Sequence, residues 1–354
     1  MLYVALTFDY ELFMGENYVS EEEVLIKPTE NLAKMLHELG VSGTFFADVC
    51  CPIRYREKGQ YDFPKLFDEQ IQWLIKNGQD VQLHIHSNWV GASEIGRKVV
   101  FDSESYRLHN WDKGNQKGNV FKIITNGMDY LNNIILPINS AYKCIAYRAG
   151  GYCLQPEQDL IPLLYQAGIR IDSSVCRGMY YDGDGMYYDY RDVPHSNNVY
   201  LNDTFGLKDE KTCDIKDGVF EVPVGGYSTF PYRLLASKMN KKITCEAPRG
   251  CGMALTKKTN VIDYNFIERV KQARNSTNML TFDSYYKNSI IYMLNRMAKE
   301  EGRNKKDVFV ATIAHPKCMS EQHIQNMRES IIAIKKNKCI TFVNMQEIAQ
   351  LLNL

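Results

Sequence analysis

With 354 residues, the chain has material for one large α/β domain or two smaller ones. Its 42 Lys and Arg balance 42 Asp and Glu, which argues against nucleic acid or another polyanion as partner. No apolar run approaches membrane-spanning length and no signal-peptide pattern opens the chain, so a cytoplasmic protein without an integral membrane segment is expected. Its 10 cysteines show no CxxC spacing and are expected to be reduced thiols rather than disulfides or a cysteine zinc site.

The first element is the run Leu2 to Gly15, L-Y-V-A-L-T-F-D-Y-E-L-F-M-G. Apolar residues on both faces mark Tyr3 to Phe8 as a strand buried in a parallel sheet. It ends in two acids, Asp9 and Glu11, and the period of two puts both on one face. Two carboxylates at the end of a buried strand need a cation or a hydrogen-bond donor. Helix-spaced apolar residues from Thr29 to Leu39 stop at Gly40, V-S-G-T-F-F-A-D-V forms a second strand, and a helix follows over Pro64 to Lys76. The strand D-V-Q-L-H-I-H then places Val81, Leu83 and Ile85 on one face and Gln82, His84 and His86 on the other. Two histidines at i and i+2 on a strand can reach one metal ion through neutral imidazole nitrogens, although a lone HxH is a weak signal.

Residues 93–116 form a polar excursion whose His109 and Trp111 are expected on the surface. After a helix over Phe121 to Ile135, K-C-I-A-Y-R-A-G-G delivers Arg148 at a strand end. A helix over Pro156 to Ala167 follows, and I-R-I-D ends in Asp172 beside Ser173 and Ser174. Cys176 to Tyr200 is tyrosine-rich; its rings suit either stacking on a sugar or anchoring a loop. V-F-E-V-P-V is a further strand, and 227–260 a second irregular excursion. Tyr264 to Arg274 and Ser284 to Glu301 are predicted helices. D-V-F-V-A-T-I-A-H-P-K is a buried strand ending in His315. Ser320 to Lys335 is a helix with His323 on an exposed face, C-I-T-F-V the last strand and Met345 to Leu352 the last helix. His37 is an ordinary helix residue, and His195 has no evident partner. Strand–helix alternation predicts seven or eight mostly parallel strands with helices outside them. Asp9, Glu11, His84, His86, Arg148, Asp172 and His315 then fall at one end of five strands, where α/β barrels gather their catalytic groups.

In these motifs the sequence resembles the polysaccharide deacetylase superfamily, the NodB-homology group of carbohydrate esterases. The resemblance runs through the whole chain in five ordered motifs: T-F-D-Y-E (Thr7 to Glu11), L-H-I-H-S-N-W (Leu83 to Trp89), Y-R-A-G-G-Y (Tyr147 to Tyr152), I-D-S-S (Ile171 to Ser174) and I-A-H-P (Ile313 to Pro316). It looks most like the branch of surface-polysaccharide and lipopolysaccharide biosynthesis. The resemblance implies a single domain over 1–354: a distorted, incomplete (β/α) barrel, with excursions at about 91–118 and 176–260 folded over the catalytic rim. The chain departs from the family pattern twice. Tyr10 separates the two acids, and the position four residues after His84 is Asn88, so either His86 or Asn88 completes the ligand set with Glu11 and His84.

The resemblance further implies a metal-dependent N-deacetylase acting on an N-acetylated sugar or glycan, with Zn²⁺ the first choice of divalent ion. Asp9 is the expected general base, oriented by Arg148. His315 is the expected acid, its pKa raised by Asp172. Tyr10, Trp89 and Tyr152, which lie in the motifs, are candidates for contact with the sugar. Two other readings stay open: a glycan-binding pseudoenzyme, suggested by Asn88, and a metal-free hydrolase of another C–N bond, such as that of an allantoin-like ureide. O-deacetylation is a variant of the first reading.

Overall fold

The computed structural model describes residues 1–113, 118–193, 198–204, 206–207, 218–228, 232, 236, 239–240, 247–252, 277–284, 286–304 and 307–354. The predicted helix Tyr264 to Arg274, His195 and most of the second excursion lie outside the described residues.

The opening run is two strands, β1 (Leu2–Ala5) and β2 (Thr7–Tyr10). Each pairs with different neighbours, so the run breaks at Leu6. The remaining strands that concern the site are β3 (Thr44–Asp48), β4 (Asp80–Ile85), β5 (Ala146–Ala149), β6 (Ile171–Asp172), β7 (Tyr200–Leu201), β8 (Val219–Glu221), β9 (Val308–Ala311) and β10 (Ile340–Val343). A seven-stranded sheet runs β7-β8-β6-β5-β4-β3-β2, parallel throughout except for the antiparallel edge β7–β8. A three-stranded parallel sheet runs β9-β1-β10. Isolated parallel bridges, Phe8 with Ala314 and Val224 with Ala311, connect the two sheets. Among the described residues no sheet closes on itself; the curved wall is continued by single bridges, in keeping with a distorted, incomplete barrel.

Helices follow the strands as the alternation predicts: α1 (Lys27–Glu38), α2 (Cys50–Glu57), α3 (Asp62–Lys76), α4 (Asn119–Ile135), α5 (Glu157–Ala167), α6 (Asn288–Asn304), α7 (Glu321–Ile334) and α8 (Met345–Leu352). Among these, α2 was not predicted: it carries the vicinal Cys50 and Cys51, both buried free thiols, and its weak apolar periodicity hides it from pattern reading. The start of α7 corrects one expectation. His323 is buried rather than exposed, because with Ser320 it forms a reciprocal cap, each side chain bonding the other residue's backbone N–H. Asn344 and Glu347 cap α8 in the same way. No helix among the described residues is long and apolar enough to cross a membrane.

Register decides which side chains enter the barrel. Tyr10, Ala47, Leu83, Tyr147, Asp172 and Glu221 lie in one row across β2, β3, β4, β5, β6 and β8. Residues in register share a face. Tyr10 packs its ring 5.0 Å from that of Phe67 in α3, so this row faces the helices. The alternate residues Asp9, Asp48, His84 and Arg148 face the opposite way. In the next row up, Asp48 pairs with His84 and His84 with Arg148.

Candidate active site

The inward row and the loops just above it form one buried cluster of ionisable groups. His84 Nδ1 lies 2.8 Å from the Arg148 carbonyl oxygen, to which it donates. That hydrogen bond fixes the tautomer, so in the neutral ring Nε2 carries a lone pair. This Nε2 faces Glu11 Oε2 at 3.3 Å, and His86 Nε2 approaches the same oxygen at 2.5 Å. Acceptors converging on one another in a buried site need a proton or a metal ion between them. The three ligand atoms of Glu11, His84 and His86 lie within 4.8 Å of one another, and two imidazoles with one carboxylate suit a divalent ion such as zinc. Burial alone would lower the pKa of His84; its bond to Glu11, with Asp9 close by, raises it above the ordinary histidine value.

Of the two ligand alternatives, His86 stands on Glu11. Asn88 is buried with its amide nitrogen 3.4 Å from Met14 Sδ. The close packing of β4 against β5 depends on Gly150, where a Cβ would sit 2.6 Å from the Ile85 carbonyl oxygen and 2.7 Å from His86 Nδ1. A side chain there would push His86 off the carboxylate, which is why the glycine follows directly on the strand that carries Arg148.

Arg148 is fully buried. Its guanidinium donates to Asp9 Oδ1 at 2.5 Å, Thr7 Oγ1 at 2.7 Å, the Ser173 carbonyl oxygen at 2.8 Å and Ser173 Oγ at 3.0 Å, and its Cζ lies 4.3 Å from the Phe46 ring centroid. Burial works against ionisation of Asp9, but the guanidinium outweighs it and holds the carboxyl below the usual range. On the other side of Asp9, His315 Nε2 stands 3.6 Å from Asp9 Oδ2 and 4.0 Å from Glu11 Oε1.

The partner of His315 is Asp283, not Asp172. Asp283 Oδ2 accepts from His315 Nδ1 at 2.8 Å and Asp283 Oδ1 accepts from the His315 backbone N–H at 3.0 Å. Burial would lower the pKa of His315; Asp283 more than compensates and raises it. Asp172 lies in the helix-facing row, where it accepts from the Ser174 N–H at 2.9 Å and Ser174 Oγ at 2.7 Å beside the buried Glu221. The parity of β6 turns it away from His315.

Two of the three aromatic candidates also fall elsewhere. Tyr10 is fully buried beside Phe67, as its position between two inward acids requires, and Trp89 is fully buried with its ring 6.2 Å from that of Tyr55. Tyr152 is half-buried, in left-handed backbone (φ 60°), with its ring 6.2 Å from Tyr188. Burial pushes its phenol pKa up, and Cys176 and Asp9 add to the shift. Tyr188 continues into a stack with Tyr181 across the hairpin Tyr180–Gly183 and Met186–Asp189 and with Tyr190 just beyond it. From the first excursion, Tyr106 sets its ring 5.7 Å from that of His86. His109 is half-buried, and Trp111 packs over Gly91.

Three residues escaped the sequence reading. Asp283 is one. Asp48 is another: its Oδ1 accepts from the His86 N–H at 3.2 Å, and burial raises its pKa to about 6. The third is Lys317, whose Nζ donates to Glu11 Oε1 at 2.7 Å and to the Leu12 carbonyl oxygen at 3.0 Å. A lysine two residues past His315 was visible in H-P-K, but nothing local says that it folds back onto Glu11.

No protein-family model and no curated protein matches this sequence. Among solved structures, the chain is similar to a Mycobacterium smegmatis protein assigned to the polysaccharide deacetylases, at 15% identity and TM-score 0.48 over 99% of this chain and 90% of that one. A Pseudomonas aeruginosa PAO1 protein with the same assignment matches at 10% identity and TM-score 0.48 over 99% and 90%. Puue allantoinase matches at 8% identity and TM-score 0.49 over 99% and 89%. These are likenesses of fold; the chemistry has to come from the residues of the site itself.

Proposed function

We propose that this protein is a metal-dependent hydrolase that removes the acetyl group from the nitrogen of an amino sugar, in a polysaccharide or its biosynthetic precursor. The observation that carries the reading is the meeting, in one cluster, of a buried metal-type donor set (Glu11, His84, His86) and a buried guanidinium-held carboxylate (Asp9) with a partly exposed, carboxylate-held imidazole (His315). A divalent ion bound by Glu11, His84 and His86, zinc by preference, supplies a Lewis acid that brings the pKa of a water toward about 7 and polarises a carbonyl.

The chain's own groups divide the proton work. Asp9, kept ionised by Arg148, accepts the proton of the attacking water. Thr7 and Ser173, through Arg148, fix the direction of the accepting carboxylate. His315 Nε2 faces the same space, while Nδ1 is committed to Asp283, so a protonated ring delivers its Nε2 proton to the departing amine. Acetate and the free amino sugar are the products. The tyrosines at 152 and 181, both partly exposed, offer ring faces of the kind that suits a pyranose.

A second reading, hydrolysis of another C–N bond without a metal, has one observation in its favour: Lys317 already brings a positive charge to Glu11. The test is acetate release, followed by proton NMR, from N-acetylglucosamine oligomers and from a nucleotide-linked N-acetyl sugar, with allantoin alongside. Release of acetate from either sugar by zinc-loaded protein, lost on chelation and regained with zinc, is the expected result. Turnover of allantoin by chelator-treated protein, with none of either sugar, would replace this reading with the second. Binding of the oligomers without turnover would leave a glycan-binding protein.

A further inference from the structure

Glu11 is shared between two kinds of partner. Its Oε2 faces the two histidine Nε2 atoms, whereas its Oε1 takes the ammonium of Lys317 at 2.7 Å. That ammonium is anchored besides by the Leu12 carbonyl oxygen at 3.0 Å and lies 5.1 Å from the Phe13 ring centroid. The turn that carries it, Pro316–Cys318, is held from outside by Arg249, whose Nη1 donates to the Met319 carbonyl oxygen at 2.8 Å. Lys317 is nine-tenths buried. A buried lysine whose head has two fixed acceptors cannot swing away without leaving both short of a partner.

Resting on the metal reading above, we propose that Lys317 is a positioning residue that confines Glu11 to a single metal-facing oxygen and thereby selects the ion. With the ammonium 2.7 Å from Oε1, an ion chelated through both oxygens would be drawn toward a like charge, so the carboxylate is held to Oε2, and the ammonium offsets part of the negative charge that an ion there would meet. The affinity of the site then rests mainly on two imidazole nitrogens. Such a site favours zinc, which is content with four ligands including nitrogens. It disfavours manganese, magnesium and calcium, which want more oxygen ligands and more negative charge. Removing the cation frees Oε1 and restores the full carboxylate charge, and the oxygen-preferring ions gain more than zinc does.

The experiment is calorimetric titration of chelator-stripped, full-length protein with Zn²⁺ and with Mn²⁺, comparing wild type with Lys317→Met, Lys317→Gln and Lys317→Arg. Methionine and glutamine keep much of the length of the lysine side chain without its charge, and arginine keeps the charge. The ratio of the two dissociation constants is the readout, since a merely structural loss would weaken both ions together. We expect the preference for zinc over manganese to fall roughly tenfold in Lys317→Met and in Lys317→Gln, chiefly through tighter manganese binding, as expected when a nearby cation is removed from a partly buried site. Lys317→Arg should restore the wild-type ratio to within about threefold. If Lys317→Met does not fold, Lys317→Gln reads the same quantity. An unchanged ratio in the folded uncharged variant, or an arginine variant that shifts as far as methionine, overturns the role of Lys317 while leaving the metal site standing. A wild-type protein that takes up neither ion overturns the metal reading and this inference with it.

Discussion

Asp283 grips His315 at two points, with one carboxylate oxygen on the ring Nδ1 and the other on the backbone N–H of the same residue. The double contact fixes both the position of the strand end and the tautomer of the ring, leaving Nε2 to face Asp9 and Glu11. It also raises the pKa of His315, against the pull of burial.

Asp283→Asn should therefore move the alkaline limb of the turnover–pH profile to lower pH, because the acid form of His315 would be lost earlier. The sign is the same for stability. A histidine whose folded pKa is raised contributes stabilisation that is complete below its unfolded value and lost as pH rises through the folded one. The variant should lack that contribution, so its deficit in thermal midpoint should be larger at pH 6 than at pH 9. Parallel profiles in wild type and variant would mean that Asp283 has no influence on the titration of His315.

Asp9→Asn keeps the shape of the carboxylate but cannot take a proton. The variant should bind zinc as wild type does, by calorimetry, while turnover of the N-acetyl sugar falls by roughly 10²–10⁴-fold, the usual range for loss of general acid–base catalysis. Retention of full turnover would remove the base from Asp9.

His84→Ala and Glu11→Ala each delete one member of the proposed donor set. The first should abolish stoichiometric zinc uptake and the second should weaken it, and activity should follow the metal in both. Asn88→Ala should leave zinc affinity near wild type, since the amide nitrogen of Asn88 is on Met14 and His86 stands on Glu11. Metal retained by His84→Ala, or lost by Asn88→Ala alone, would reassign the ligands.

Arg148→Met should cost about 3–5 kcal/mol of stability, measured by urea unfolding at pH 7, the size of effect seen when one partner of a buried ion pair is removed. Asp9 is then left desolvated without its guanidinium. With that partner gone, burial and the Glu11 charge are opposed only by His84 and His315, so the folded pKa of Asp9 should rise and the loss should shrink as pH falls far enough to protonate it. A loss equal at pH 4 and pH 7 would point to the lost bonds to Thr7 and Ser173 rather than to the stranded charge.

Periodicity in the sequence was enough to determine which face each strand residue takes. Because the period of a strand is two, Asp9 and Glu11 share one face of their strand and His84 and His86 one face of theirs, whatever the rest of the chain does. The same rule sends Tyr10 to the opposite face, into contact with Phe67, and so removes it from any sugar site. The parallel α/β architecture was equally legible, since both-faces-apolar runs alternate with helix-spaced ones. Local pattern does not say which strand lies beside which, or in what register. Asp172 and Asp283 both sit in short segments near strand ends, and only the register of β6 with β5 turns Asp172 toward the helices, while the bridge of Thr281 to Ile313 sets Asp283 beside His315. Lys317 meets Glu11 across 306 positions of sequence because the bridge between Phe8 and Ala314 brings the two strand ends together. Such pairings come from long-range packing of whole elements, and tertiary structure alone decides them.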